Sequence, residues 1–353
     1  MANPNISAVI SLPLHNSIPE NLLHRFEPTY AEYWNKYNAG RLATHQVPIE
    51  AYRADPLKYT IAYGREIVDA GKLKITNQTC PVEGGSIAVR IIEPDSERFP
   101  ETPRPVYINF HGGGWVFGGL PTDFDFCKRL SHELGVVTFD VDYRLAPEHK
   151  FPIPVNDCWQ AFNWIRDQKV SEFGLDLSRM AVGGCSAGGH LSAVIAHMCR
   201  DASIPLAFQL LAVPVCDLHV FDSNGQLRPD QPYESYREME FTQPLPLERM
   251  SYFHKAFLGN PRPKELDDDW KVSPMLAKNF KWLAPALVIT AEMDPLRDEG
   301  EVYAKKMNDA GSKAEVHRIK GAPHVVMQVD GILDGGKEYN RLVVKAMREA
   351  LLK

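Results

Sequence analysis

Met180-Ala181-Val182-Gly183-Gly184-Cys185-Ser186-Ala187-Gly188-Gly189-His190 reads as a short apolar strand, a glycine turn and the start of a helix through Leu191, Val194, Ile195 and Met198. Within it, Gly184-Cys185-Ser186-Ala187-Gly188 fits the pattern G-x-S-x-G, in which a serine sits on a strand-to-helix turn too tight for side chains on its neighbours. Glycine supplies that room and tolerates strained backbone angles best. A helix that begins at the serine points its positive end at any oxyanion formed there. By itself the pattern also fits a glycine-rich turn without chemistry, so the rest of the chain must decide.

The chain has 353 residues, enough for one large α/β domain or for a body with a smaller lid. Its apolar content of 44% and charged content of 24% are those of an ordinary soluble protein. A net charge of -6 with no basic run argues against a nucleic-acid partner. The first fifteen residues lack the pattern of a secretory signal, and no apolar run is long enough for stable membrane insertion. Cys80, Cys127, Cys158, Cys185, Cys199 and Cys216 are scattered without a C-x-x-C pair, which predicts reduced thiols and a cytoplasmic location. Without secretion, the glycosylation sequons at Asn5-Ile6-Ser7 and Asn77-Gln78-Thr79 carry no weight. No compact Cys/His/Asp cluster implies a metal or another cofactor. Soluble enzymes are commonly homodimers, but no stretch specifies one here.

Residues 1–75 differ in pattern from the rest of the chain. Leu22, Leu23, Phe26, Tyr30, Tyr33, Trp34 and Tyr37 recur at helical spacing and predict a helix from Glu20 to Asn38. Pro48 and Gly71 bracket a second helical candidate with Leu57, Ile61, Ile67 and Val68. The aromatic stripe fits a face packed on the body, one edge of which lines a cleft. After Gly71 strands alternate with helices. Strands are predicted at Ser86–Ile92, Val106–Phe110, Val136–Val141, Met180–Val182, Gln209–Val215, Ala286–Ala291 and Glu315–Ile319. Helices are predicted at Asp123–Glu133, Pro154–Asp167, Ser186–Cys199, Asp298–Ala310 and Glu338–Leu352. This rhythm implies a mainly parallel sheet with helices on both faces. Residues 76–216 and 283–353 form the body in this reading. The interval 217–282 interrupts it, with no clear strand and one amphipathic helix through Met250, Tyr252, Phe253, Phe257 and Leu258. An insertion of that length is often functional, and it is a candidate second piece of a lid.

A serine nucleophile needs backbone N–H donors where the tetrahedral oxyanion forms. His111-Gly112-Gly113-Gly114-Trp115 directly follows a predicted strand, and its glycines let the backbone approach a substrate. Gly113, Gly114 and Ala187, the residue after the serine, are the candidate oxyanion donors. After such a serine come an acid and then a histidine. His317 lies inside a predicted strand, whereas His324 sits in the loop Gly321-Ala322-Pro323-His324, where its ring can swing over the sheet edge. His324 is therefore the candidate base. Asp294 stands at the end of Ala286–Ala291 and is the candidate acid; Asp298 reads as an N-cap and is the fallback.

Together these stretches resemble the hormone-sensitive lipase family of α/β-hydrolases, the bacterial-type family IV esterases. The resemblance rests on His111 to Trp115, Asp142-Tyr143-Arg144-Leu145-Ala146-Pro147-Glu148-His149, Gly184 to Gly189, Asp294 to Gly300 and Gly321 to His324, in the family's order. It covers about residues 80 to 353. It implies an eight-stranded, mainly parallel sheet, with a helical cap made from the N-terminal segment and the insertion after Cys216. It also implies that Ser186 is the nucleophile, His324 the base and Asp294 the acid, with the amides of Gly113, Gly114 and Ala187 as oxyanion hole. Tyr143 to His149 resembles a stretch that braces the site, and Arg144, Glu148 and Asp157 are read as structural ion-pairing residues. Two positions depart from the family: Cys185, where Asp or Thr commonly precedes the serine, and Val325-Val326-Met327, where Gly-Phe often follows the histidine. Neither removes a catalytic atom, and Cys185 reads as a small buried filler.

The expectation is a serine carboxylic-ester hydrolase working through an acyl-enzyme. Its substrate would be a small to medium apolar ester, held in a cleft formed by Trp115, Phe117, Tyr30 and Trp34. Acyl transfer, lactone opening and deacetylation use the same triad and remain alternatives. Plant gibberellin receptors resemble this family but lack the base histidine, and the presence of His324 weighs against a receptor.

Overall fold

Strands covered on both faces have no polar side to alternate, so the unbroken apolar runs form the middle of one sheet. The computed structural model describes residues 15–61, 63–69 and 71–352, so the sequon at Asn5 lies outside the described residues. The strands are β1 (Lys74–Val82), β2 (Gly85–Glu93), β3 (Arg104–Phe110), β4 (Val137–Asp142), β5 (Leu175–Cys185), β6 (Phe208–Ala212), β7 (Ala286–Met293) and β8 (Ala314–Pro323). Their order across the sheet is β1-β2-β4-β3-β5-β6-β7-β8. β2 is antiparallel to β1 and β4, and the pairs from β4 to β8 are parallel. β1 has no counterpart in the sequence reading. It is an edge strand whose outer residues face water, so it carries no apolar run, and Pro81 is tolerated there.

The helices are α1 (Glu20–Leu23), α2 (Pro28–Tyr37), α3 (Ile49–Ala54), α4 (Pro56–Tyr59), α5 (Phe124–Leu134), α6 (Ile153–Gln168), α7 (Val170–Phe173), α8 (Ala187–Asp201), α9 (Glu234–Glu238), α10 (Leu247–Leu258), α11 (Arg297–Asp309) and α12 (Asp334–Leu351). Side chains of a strand point alternately to the two faces. Ile108, Val182 and Leu211 therefore join one core with Phe162 of α6, Leu191 of α8 and Tyr303 of α11. Tyr107, Ala181 and Leu210 join the other with Leu130 of α5 and Val343 of α12.

The N-terminal segment departs from the two continuous helices that its spacing predicts. Pro28 disfavours helical angles at Glu27, which takes φ -57 and ψ 125, so α1 and α2 are separate. Pro56 does the same to Asp55 between α3 and α4. Among the described residues between Thr60 and Gly71 none is helical, and Ile67 is 81% exposed. In the interval 217–282, α10 forms at the predicted place and buries Met250, Phe253, Phe257 and Leu258. All six cysteines are buried and unpaired. Among the described residues no helix is long and apolar enough to cross a membrane.

Candidate active site

In an open parallel sheet, ligands gather at the carboxyl ends of the strands. The chain leaves β3 into the His111 loop, β5 into Ser186, β7 into Asp294 and β8 into His324. Four stretches far apart in sequence thus reach one edge.

Ser186 takes φ 56 and ψ -118, angles that a residue with a side chain adopts only under constraint. Its amide donates to the Ala212 carbonyl at 2.9 Å, and its carbonyl accepts from the His190 amide at 3.0 Å. α8 starts at the next residue, so the Ala187 amide stands at the positive end of a long helix. A Cβ at Gly184 or Gly188 would overlap the Phe110 carbonyl. Helix propensity alone would make Gly188→Ala stabilising by about 1 kcal/mol. We expect the opposite sign, a loss of about 3 kcal/mol from forced overpacking, read as a lower urea midpoint. A raised midpoint would show that the elbow is not closed against β3.

His324 Nδ1 lies 2.7 Å from Asp294 Oδ2. The carboxylate only accepts, so Nδ1 carries the proton and Nε2 is left as the basic nitrogen. The other oxygen of Asp294 accepts the Leu296 amide at 3.0 Å, and the Asp294 side chain is fully buried. The Gly321 amide donates to Glu292 at 2.8 Å, which ties the β8 end to the β7 end. Asp298 is not the N-cap of α11; Leu296 holds that place. Asp298 instead accepts the Ser235 amide at 2.7 Å and Nε of Arg297 at 2.7 Å. His317 stays on β8, half-buried and bonded to Glu315.

Gly113 and Gly114 have φ 124 and 62. Side chains there would meet the Phe117 carbonyl and the Phe253 ring, so this loop is bare backbone by necessity. His111 braces it. Its ring stacks on Tyr143 at 4.3 Å, and the Tyr143 hydroxyl donates to the His111 carbonyl at 2.8 Å. Burial lowers the His111 pKa and keeps the ring neutral. Arg144 grips the buried Asp157 with Nε at 2.8 Å and Nη2 at 2.6 Å. Glu148 pairs with Arg53. The Cys185 thiol is raised by burial first and then by the Asp123 carboxyl, so it stays protonated and is no rival nucleophile.

Ser186 and His324 open onto one cavity of about 620 Å³, which Gly113, Gly114 and Phe117 also line. Three predicted substrate contacts are corrected. Trp115 is 1% exposed and off the cavity wall: φ 61 turns its ring into the core, where it stacks on Phe257 at 4.3 Å. Tyr30 and Trp34 are likewise buried, and Trp34 Nε1 donates to the Asn16 carbonyl at 2.6 Å. Aromatic residues at helical spacing report a packed face, and large rings gain most from full burial. Phe117 does line the wall, together with Phe253 of the predicted lid helix and with Tyr52, Tyr63, Val213, Leu245 and Arg249, which the sequence did not mark as substrate contacts.

A family described as "alpha/beta hydrolase fold" matches residues 107–328. The chain is 30% identical to an AB hydrolase superfamily protein of Schizosaccharomyces pombe, over 96% of this chain and 97% of that protein. It is 29% identical to ethyl acetate hydrolase of Pseudomonas putida, over 92% of this chain and 99% of that enzyme. Among solved structures it is similar to EstE1, a thermostable carboxylesterase cloned from a metagenomic library. The TM-score is 0.69 at 38% identity, covering 79% of this chain and 89% of that one. The chain belongs to the α/β-hydrolase fold family and is a hydrolase of the carboxylesterase type.

Proposed function

We propose that Ser186, His324 and Asp294 are nucleophile, base and acid of a hormone-sensitive-lipase-type esterase. The single observation that carries this is the His324–Asp294 bond of 2.7 Å beside the cavity that also opens on Ser186. His324 Nε2 takes the proton of the Ser186 hydroxyl as Oγ attacks the ester carbonyl. The developing imidazolium is stabilised by Asp294, and the oxyanion by the amides of Gly113, Gly114 and Ala187. The ester bond breaks, His324 returns the proton to the leaving alcohol, and an acyl-Ser186 remains. Water, deprotonated by His324, then releases the acid and restores the serine.

The cavity volume suits a small to medium ester. The likeness to ethyl acetate hydrolase favours short acyl chains. In this reading residues 1–75 and 217–282 form a cap. Supporting it, Arg249 Nη2 of the second segment donates to the Thr44 hydroxyl of the first at 3.0 Å, and both residues line the cavity. A cytoplasmic location fits the six unpaired thiols.

The test is intact-mass and peptide mapping after an organophosphonate, with hydrolysis of p-nitrophenyl acetate through laurate. One adduct on the Ser186 peptide and a preference for the shorter esters are expected. An adduct on another residue, or none, would overturn the assignment.

A further inference from the structure

Three arginines, Arg53, Arg65 and Arg249, line the cavity that holds Ser186, and no aspartate or glutamate is among its described lining residues. Arg53 is neutralised by Glu148. Arg65 donates to the Pro121 carbonyl at 3.3 Å and lies within electrostatic reach of the buried Asp123. Arg249 has no such compensation. It donates to the Pro244 carbonyl at 3.0 Å and to the Thr44 hydroxyl at 3.0 Å, both neutral acceptors. Its Nε is buried and makes no hydrogen bond. The titratable groups that act on it most are the phenols of Tyr63, Tyr52, Tyr252 and Tyr30, and burial lowers its pKa despite them.

A guanidinium stays charged in a protein, and withdrawing it from water without an anion is costly. The proposed mechanism gives Arg249 no task. Two of its donor hydrogens serve Pro244 and Thr44. Nε is buried, and one further hydrogen on each terminal nitrogen is left, a pair that suits a monoanionic carboxylate. We propose that the ester substrate carries a carboxylate, and that Arg249 binds it at the cavity wall. This rests on the reading of Ser186 as the nucleophile, since it is the Ser186 cavity that Arg249 lines.

Two matched pairs of esters test it. One is the mono-p-nitrophenyl ester of hexanedioic acid against p-nitrophenyl hexanoate, with the charge on the acyl side. The other is 4-(butanoyloxy)benzoate against its methyl ester, with the charge on the alcohol side. In Arg249→Met the anionic-to-neutral ratio of kcat/KM should fall at least about tenfold in one pair, and Arg249→Lys should restore much of it. A smaller fall in both pairs overturns the proposal and leaves Arg249 a structural bridge. Calorimetric binding of the same esters to Ser186→Ala needs no turnover. There, adding Arg249→Met should weaken the anionic member selectively. Such selective binding, with no hydrolysis by the wild type, would sink the nucleophile assignment and keep the arginine's role. Hydrolysis without selectivity would do the reverse.

Discussion

Ser186→Ala is expected to lower kcat on a short p-nitrophenyl ester by about 10⁴-fold or more. No other group in the site replaces its Oγ. The Cys185 thiol next to it is buried beside Asp123 and stays protonated. The fold should survive, because the bonds that hold the elbow are backbone bonds. The Ser186 amide to Ala212 and the His190 amide to Ser186 are both retained by alanine. Stopped-flow kinetics should show no burst, and the urea midpoint should correspond to a change within about 1 kcal/mol. A variant that keeps a tenth of the wild-type kcat would exclude an acyl-Ser186 intermediate.

Asp294→Asn is expected to cost about 10⁴-fold in kcat with the geometry intact. The reason lies in the second bond of the carboxylate. Asp294 Oδ1 accepts the Leu296 amide, so an asparagine oxygen is held on that side and its NH₂ must face His324. The amide then donates to Nδ1, the ring proton moves to Nε2, and the base can no longer accept from a serine. Steady-state kinetics and nitrogen chemical shifts of His324 would both report the switch. A loss below about tenfold, with the tautomer unchanged, would remove Asp294 from the acid role.

The substrate contacts expected of Tyr30, Trp34 and Trp115 failed for two different reasons. Periodicity reports which side chains are buried, not what they are buried against. Tyr30 and Trp34 fit a helical stripe and are buried, but in the core beside Phe26 rather than on the cavity wall. Trp115 comes after three glycines, yet its positive φ sends the ring onto Phe257. Phe117, two residues on, does reach the cavity. The breaks at Glu27 and Asp55, in contrast, were written in the prolines next to them.

The mainly parallel sheet, the turn at Ser186 and the order of Ser186, Asp294 and His324 at successive strand ends are local or serial properties. Apolar runs, glycine spacing and strand-end loops encode them in consecutive residues, and the sequence alone therefore determined them. Which rings face the cavity, and the isolation of Arg249 among neutral partners, arise where segments as far apart as Thr44, Pro244 and Phe253 meet. Only the tertiary structure decided these, because burial and charge compensation depend on neighbours in space.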